Sequence, residues 1–308
     1  MHADLTQFCE IGTTDGLDRL ALRYRDLKSC LAAAPASSGK GPVALILAED
    51  GVELDSTVRH HLAAGFKKLL VFGAPQLPLA DGLEAQIDRV DCDMSAEGMP
   101  EQIVNGMIAA LPQVWLYYCY NAEYLFFPYS EHRSIGELIA HVAEERRESV
   151  LTYVIDLYAA DLAAYPAAVS LETAHLDKSG YYALARLDRN NQPAERQLDF
   201  FGGLRWRFEE HIPAPRRRID RISLFRAKPG LKLRADHTFN DAEYNTYACP
   251  WHNSLTAAVC SFRTAKALKR NPGSTFDIPT FHWHNSTQFD WHSQQLLDLG
   301  LMEPGQWF

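Results

Sequence analysis

Trp115-Leu-Tyr-Tyr-Cys-Tyr-Asn121-Ala-Glu123-Tyr-Leu-Phe-Phe-Pro128 is the stretch on which the reading of this chain turns. Its first six residues are aromatic or apolar, which suits a strand buried on both faces of a sheet. Asn121, Ala122 and Glu123 interrupt the run, Tyr124–Phe127 resumes it, and Pro128 stops it. A polar triplet with one carboxylate, set between two buried strands, is costly unless its groups are hydrogen-bonded or meet a ligand. In open α/β sheets ligands sit beyond the carboxyl ends of strands, and the triplet falls there. The competing reading is an ordinary core strand closed by a satisfied glutamate.

Upstream, Val43–Leu47 reads as a short buried strand. Leu54, Val58 and Leu62 then share one helical face, with Gly65 as the stop. Lys68–Phe72 is a second strand and Asp88–Val90 a third, and Glu101–Leu111 is an amphipathic helix. Downstream, Ser134 and Glu137 form a capping box at the start of a helix carrying Ile135, Leu138, Ile139 and Val142. Ser149–Leu157 is another strand. This alternation predicts an α/β fold, a mostly parallel sheet flanked by helices. Before it, residues 1–41 read as a short helix (Leu17–Leu31) and a linker (Ala32–Gly41). Residues 159–200 are loop-rich and unassigned.

The chain has 308 residues, 47% hydrophobic and 22% charged, enough for a proper core. Its net charge of −9 argues against a general nucleic-acid binder. Six dispersed cysteines without a C-x-x-C pair suit reduced thiols, hence a cytoplasmic setting. No signal peptide and no 18-residue apolar run is evident, which leaves only peripheral contact with a membrane.

At the opening stretch the sequence resembles bacterial family-two-like glycosyltransferases with a GT-A (Rossmann-like) fold. The family pattern there is Trp-x(4)-Asp-x-Asp-Glu-Phe-Leu, and its Asp-x-Asp holds a divalent metal under the donor's diphosphate. Tyr120 and Ala122 stand where the two aspartates belong, so the motif is degenerate and Glu123 alone keeps its carboxylate. The resemblance spans about residues 42–270. Ala48-Glu49-Asp50 falls on the family's polar pair after its first strand, His61 and Gly65 on its Tyr-His-x-x-x-Gly, and Gln102 on a recurrent Gln. Phe201-Gly202-Gly203-Leu204-Arg205 is similar to its Gly-Gly-x-Arg loop. Phe72-Gly73-Ala74 departs from the Asp-Asn expected after the second strand, and Ser261 replaces a family histidine.

The resemblance implies a sugar transferase that takes a nucleotide-diphosphate sugar as donor and a glycan, lipid or protein as acceptor. Glu49, Asp50, Asn121 and Glu123 are the donor-side candidates, with Mn²⁺ or Mg²⁺ at Glu123 if a metal is used. Between Arg216 and Arg234 stand eight basic residues against one acid, Asp220. Either this is a solvated basic face or part of it meets a diphosphate. The resemblance favours Arg226 and Lys228 for that contact. His237 falls on a family histidine, and Asp241 and Glu243 are the nearest base candidates for the acceptor hydroxyl.

Five of the twelve histidines, His237, His252, His282, His284 and His292, fall between residues 237 and 292. His282-x-His284 would put two rings on one face of a strand, a metal-competent spacing that lacks a third ligand. Two other classes therefore remain: a catalytically silent GT-A-like protein that binds a carbohydrate or partner, and a histidine-based metal enzyme in which His237, His282 and His284 converge. Residues 271–308 read as an extension packed over the site, with a final helix capped by Ser286.

Overall fold

The computed structural model describes residues 21–37 and 41–307. In chain order the first half holds β1 (Arg23–Tyr24), α1 (Leu27–Ser37), β2 (Val43–Ala48), α2 (Leu54–Ala63), β3 (Lys68–Gly73), α3 (Asp81–Glu84), β4 (Asp88–Asp91), α4 (Met99–Ala110), β5 (Trp115–Tyr120), β6 (Glu123–Phe126) and α5 (Ile135–Glu144). After it come β7 (Ser149–Asp156), β8 (Tyr158–Ala159), β9 (Ala174–Asp177), β10 (Tyr182–Leu187), β11 (Pro193–Phe201) and α6 (Gly203–Arg207). The chain closes with β12 (Asp220–Arg226), β13 (Ala257–Ser261), α7 (Arg263–Arg270), α8 (Pro272–Thr275), β14 (Ser286–Gln288) and α9 (Ser293–Asp298).

Nine strands form one sheet in the order β1-β4-β3-β2-β5-β12-β7-β13-β6. All neighbours pair in parallel except at β12, antiparallel to both β5 and β7, and at β6, antiparallel to β13. The fold is thus α/β with a mostly parallel, Rossmann-like sheet flanked by helices, as expected. Period-2 geometry explains the continuous apolar runs. On β2, Val43, Leu45 and Leu47 enter a core shared with α1 and α4. The alternate residues Ala44, Ile46 and Ala48 enter a second core with α2 and α5. Each such Leu, Ile or Val contributes roughly 1.5–3 kcal/mol of burial free energy.

Three expectations change. Helix α1 covers much of the stretch read as linker, and Leu31 packs so closely on α4 that a Cβ at Gly106 would lie 2.7 Å from it. Residues 1–20 of the expected N-terminal segment, like 38–40, lie outside the described residues. Ser286 belongs to β14, which pairs with β9; the last helix starts at Ser293, capped by His292. The C-terminal residues pack instead around Phe126, Tyr124 and Phe127, through Phe289, Trp291 and Trp307. No helix among the described residues is long and apolar enough to cross a membrane.

Candidate functional site

Strands β2 and β5 are neighbours, yet the chain leaves β2 toward β3 and β4 and returns to β5 from the other side. That reversal opens a crevice at the carboxyl ends of the two strands. A cavity of about 870 Å³ lies there, and no described residue after Asn271 lines it. The expected cover by residues 271–308 is not seen among the described residues: Ile278 and Phe281 pack with Tyr158 and Leu204, and Phe289, Trp291 and Trp307 pack at the β6 edge of the sheet.

The polar triplet is built into this end of the sheet. Asn121 is fully buried and ties the β2 loop to β5. Its Oδ1 accepts from the Glu49 backbone N–H at 2.9 Å, and its Nδ2 donates to Asp50 at 2.6 Å and to the Val52 carbonyl at 2.9 Å. Ala122 takes a left-handed φ of 60°, an uncommon conformation for a residue with a side chain. Its N–H donates to the Thr57 hydroxyl at 2.8 Å. Glu123 turns inward at 1% exposure. Its Oε2 accepts from Arg221 Nη2 at 2.7 Å and from the Tyr120 N–H at 2.9 Å. Its Oε1 accepts from the Ser261 hydroxyl at 3.0 Å and from Arg221 Nη1 at 3.4 Å. Burial pushes the Glu123 carboxyl up, but Arg221, the Tyr120 N–H and Arg263 together outweigh it and the net shift is downward. The carboxylate is ionised and saturated.

Arginine dominates the floor. Arg221 starts β12, Arg205 follows the Gly202-Gly203 turn, and Arg263 opens α7; all three line the cavity. Gly203 has a φ of 62°, and a Cβ there would lie 3.0 Å from Asp156 Oδ2, so the turn that aims Arg205 needs glycine. Arg263 donates to both Glu49 oxygens, at 2.8 and 2.6 Å, and its guanidinium lies 3.7 Å from the Tyr120 ring centroid. One turn and two turns along α7, Lys266 and Arg270 hold Asp50. Burial raises the Asp50 pKa, yet Lys266, the Val52 N–H and Arg270 outweigh it and lower it.

His237 lines the same cavity and bonds Tyr118 Oη through Nδ1 at 3.0 Å. Burial first, then Arg221, Arg263 and Arg205, push its pKa down to about 3, so the ring is neutral at pH 7. One histidine thus registers three guanidiniums at once. Asp156, at the end of β7, has its pKa raised by burial despite Arg205, and its Oδ1 is buried without a hydrogen-bond partner.

Of the residues expected from sequence, Glu49, Asp50 and His237 line the cavity, while Asn121 and Glu123 lie beneath it. Arg226 and Lys228 do not. Because β12 runs antiparallel, Arg226 pairs with Trp115 at the opposite edge of the sheet. There its Nε donates to the Gln113 carbonyl, and Lys228 lies 2.6 Å from Asp241. Asp241 and Glu243 belong to that same far edge, Glu243 being bound to Arg196 at 2.8 Å. The two base candidates therefore stand away from the cleft. His282 and His284 are exposed in a turn before β14, not on a strand. They lie beside His175 and Trp283 respectively. Among the described residues no group of three His, Cys, Asp or Glu is arranged to hold a metal ion.

Sequence reasoning did not single out Arg221 or the basic face of α7. The spacing of Arg263, Lys266 and Arg270 was a readable helical signal; that of Arg221 became meaningful only with the direction of β12. No family model and no curated protein matches the chain.

Proposed function

We propose that the cleft binds the diphosphate of a nucleotide-sugar donor and that the protein transfers the sugar to an acceptor hydroxyl. The observation that carries this reading is the gathering of Arg205, Arg221 and Arg263 around His237 at the switch point of the sheet. Guanidiniums held in place by carboxylates, Arg205 by Asp156, Arg221 by Glu123 and Arg263 by Glu49, are preorganised for contact with a polyanionic ligand. The degenerate but recognisable resemblance of residues 42–270 to GT-A glycosyltransferases supports the choice of a sugar donor.

In such a transfer the acceptor oxygen bonds to the anomeric carbon, and the bond from that carbon to the diphosphate oxygen breaks. Negative charge grows on the leaving diphosphate. Preorganised guanidiniums stabilise that charge more than they stabilise the bound donor, which is what speeds the step. The acceptor proton must pass to a base or to water. Among the candidate bases His237 alone lines the cleft, and its proton affinity rises when the arginines around it are neutralised by the ligand.

Thermal shift and product analysis with a panel of nucleotide sugars test the reading. Stabilisation by one nucleoside-diphosphate sugar, with release of its nucleoside diphosphate, is expected. Binding without turnover would identify a silent carbohydrate-binding protein. No response to any nucleotide or nucleotide sugar would overturn the proposal.

A further inference from the structure

We infer that this cleft holds a diphosphate without a divalent cation, N–H groups of Arg221 and Arg263 making the contacts that a metal would make. The inference rests on the diphosphate reading above but concerns how the anion is held.

A bound Mg²⁺ or Mn²⁺ needs carboxylate oxygens with free lone pairs directed at the ion. Three carboxylates stand at the carboxyl ends of β2 and β5, and each already has a cation. Glu123 has Arg221, Glu49 has Arg263, and Asp50 has Lys266 and Arg270. The four bonds to Glu123 occupy the roughly four lone-pair directions a carboxylate offers. A metal would have to evict a buried guanidinium and take its place beside Arg263, at the cost of stripping two charges from their partners. The carboxylates at the ends of β2 and β5 do not fit a divalent ion.

The same bonds leave Arg221 suited to an anion. Three of its five N–H donors are engaged, Nε with Ser223 and one each on Nη1 and Nη2 with Glu123. The remaining two, one on Nη1 and one on Nη2, point to opposite flanks of the guanidinium, so each can donate to a single anion oxygen. The Tyr118 and Tyr120 ring centroids lie 5.4 and 5.8 Å from its guanidinium carbon. Glu123 fixes the arginine's orientation, so little side-chain freedom is lost when a ligand arrives.

Calorimetric titration with inorganic pyrophosphate, and in parallel with nucleoside diphosphates, in EDTA and in Mn²⁺, is the test. Equal binding in both conditions is expected. Arg221→Gln should weaken it at least about tenfold, the scale of losing hydrogen bonds to a charged group. Because that variant exposes Glu123 to an unpaired state, Arg263→Gln, which removes a partly exposed arginine, serves as the second variant and should also weaken binding in EDTA. Pyrophosphate binding that appears only with Mn²⁺ overturns the inference and leaves the sugar-transfer reading standing. Pyrophosphate binding in EDTA without any response to nucleotides does the reverse. No pyrophosphate binding in either buffer, or binding unchanged in the arginine variants, also overturns it.

Discussion

The two ends of β12 carry the same kind of residue in opposite circumstances. At the cleft end the Arg221 side chain is 3% exposed and pairs at 2.7 Å with Glu123, itself 1% exposed. At the other end the Arg226 side chain is 39% exposed and lies 3.8 Å from Glu148. Five residues of strand separate them, about 16 Å at the usual rise. In bulk-like dielectric a surface pair is worth little, whereas a buried guanidinium cannot lose its partner cheaply. Equal charges in one basic stretch thus differ in weight according to the edge of the sheet they reach.

The largest effect should come from breaking the buried pair. Arg221→Gln leaves Glu123 ionised and unpaired in the interior and should destabilise the fold by about 3–5 kcal/mol. Arg226→Gln should cost under about 0.5 kcal/mol. Urea unfolding of both variants measures the contrast; equal losses would erase the distinction between the two ends.

Acid sharpens the comparison because the cleft end has a histidine facing its arginines. The folded-state pKa of His237 is about 3, as is that of His61, buried against Thr57 and held down by burial and then His60. Both lie below the unfolded value, so between pH 6.5 and 3 the unfolded chain binds more protons. Stability is full above pH 6.5 and falls as pH drops, by up to about 1.4 kcal/mol per unit for each histidine. Chemical denaturation between pH 7 and 4 should show this slope, reduced in His237→Gln. Pyrophosphate should raise the His237 pKa, seen by NMR titration of the ring, since it neutralises the arginines that lower it.

A smaller loss is expected at the turn that delivers Arg205. Gly203→Ala places a Cβ 3.0 Å from Asp156 Oδ2 at a φ of 62°, and should cost about 1–2 kcal/mol with weaker anion binding. Smallest of all is Arg226→Glu. It should leave pyrophosphate affinity unchanged; a clear loss would mean that the far edge also contributes to the anion site.

Much of the first half was legible because its signals are local. Alternating burial on both faces of β2 and β5 demands long apolar runs, and the Ser134–Glu137 capping box is present with both of its hydrogen bonds. The interrupted run at Asn121–Glu123 correctly marked a strand end where polar groups must be satisfied. Its chemistry was read less well: the Glu123 carboxylate looked available in sequence, but Arg221, 98 residues later, and Ser261, 138 residues later, occupy it. Residues 159–200 stayed unassigned because β8 and β9 are short and β10, apolar in sequence but mostly exposed, pairs only with β11 outside the main sheet.

By itself the sequence determined the α/β class, the strand–helix alternation from Val43 to Asp156, and the placing of a polar break at the end of β5. Those follow from hydrophobic periodicity and capping, which act over a few residues. Only the tertiary structure decided which charges meet. The antiparallel insertion of β12 between β5 and β7 sends Arg221 to the cleft and Arg226, Lys228, Asp241 and Glu243 to the opposite edge. Helix α7 brings three cations against Glu49 and Asp50 from more than two hundred residues away. Pairings at that separation depend on strand order and direction, and a one-dimensional charge pattern carries neither.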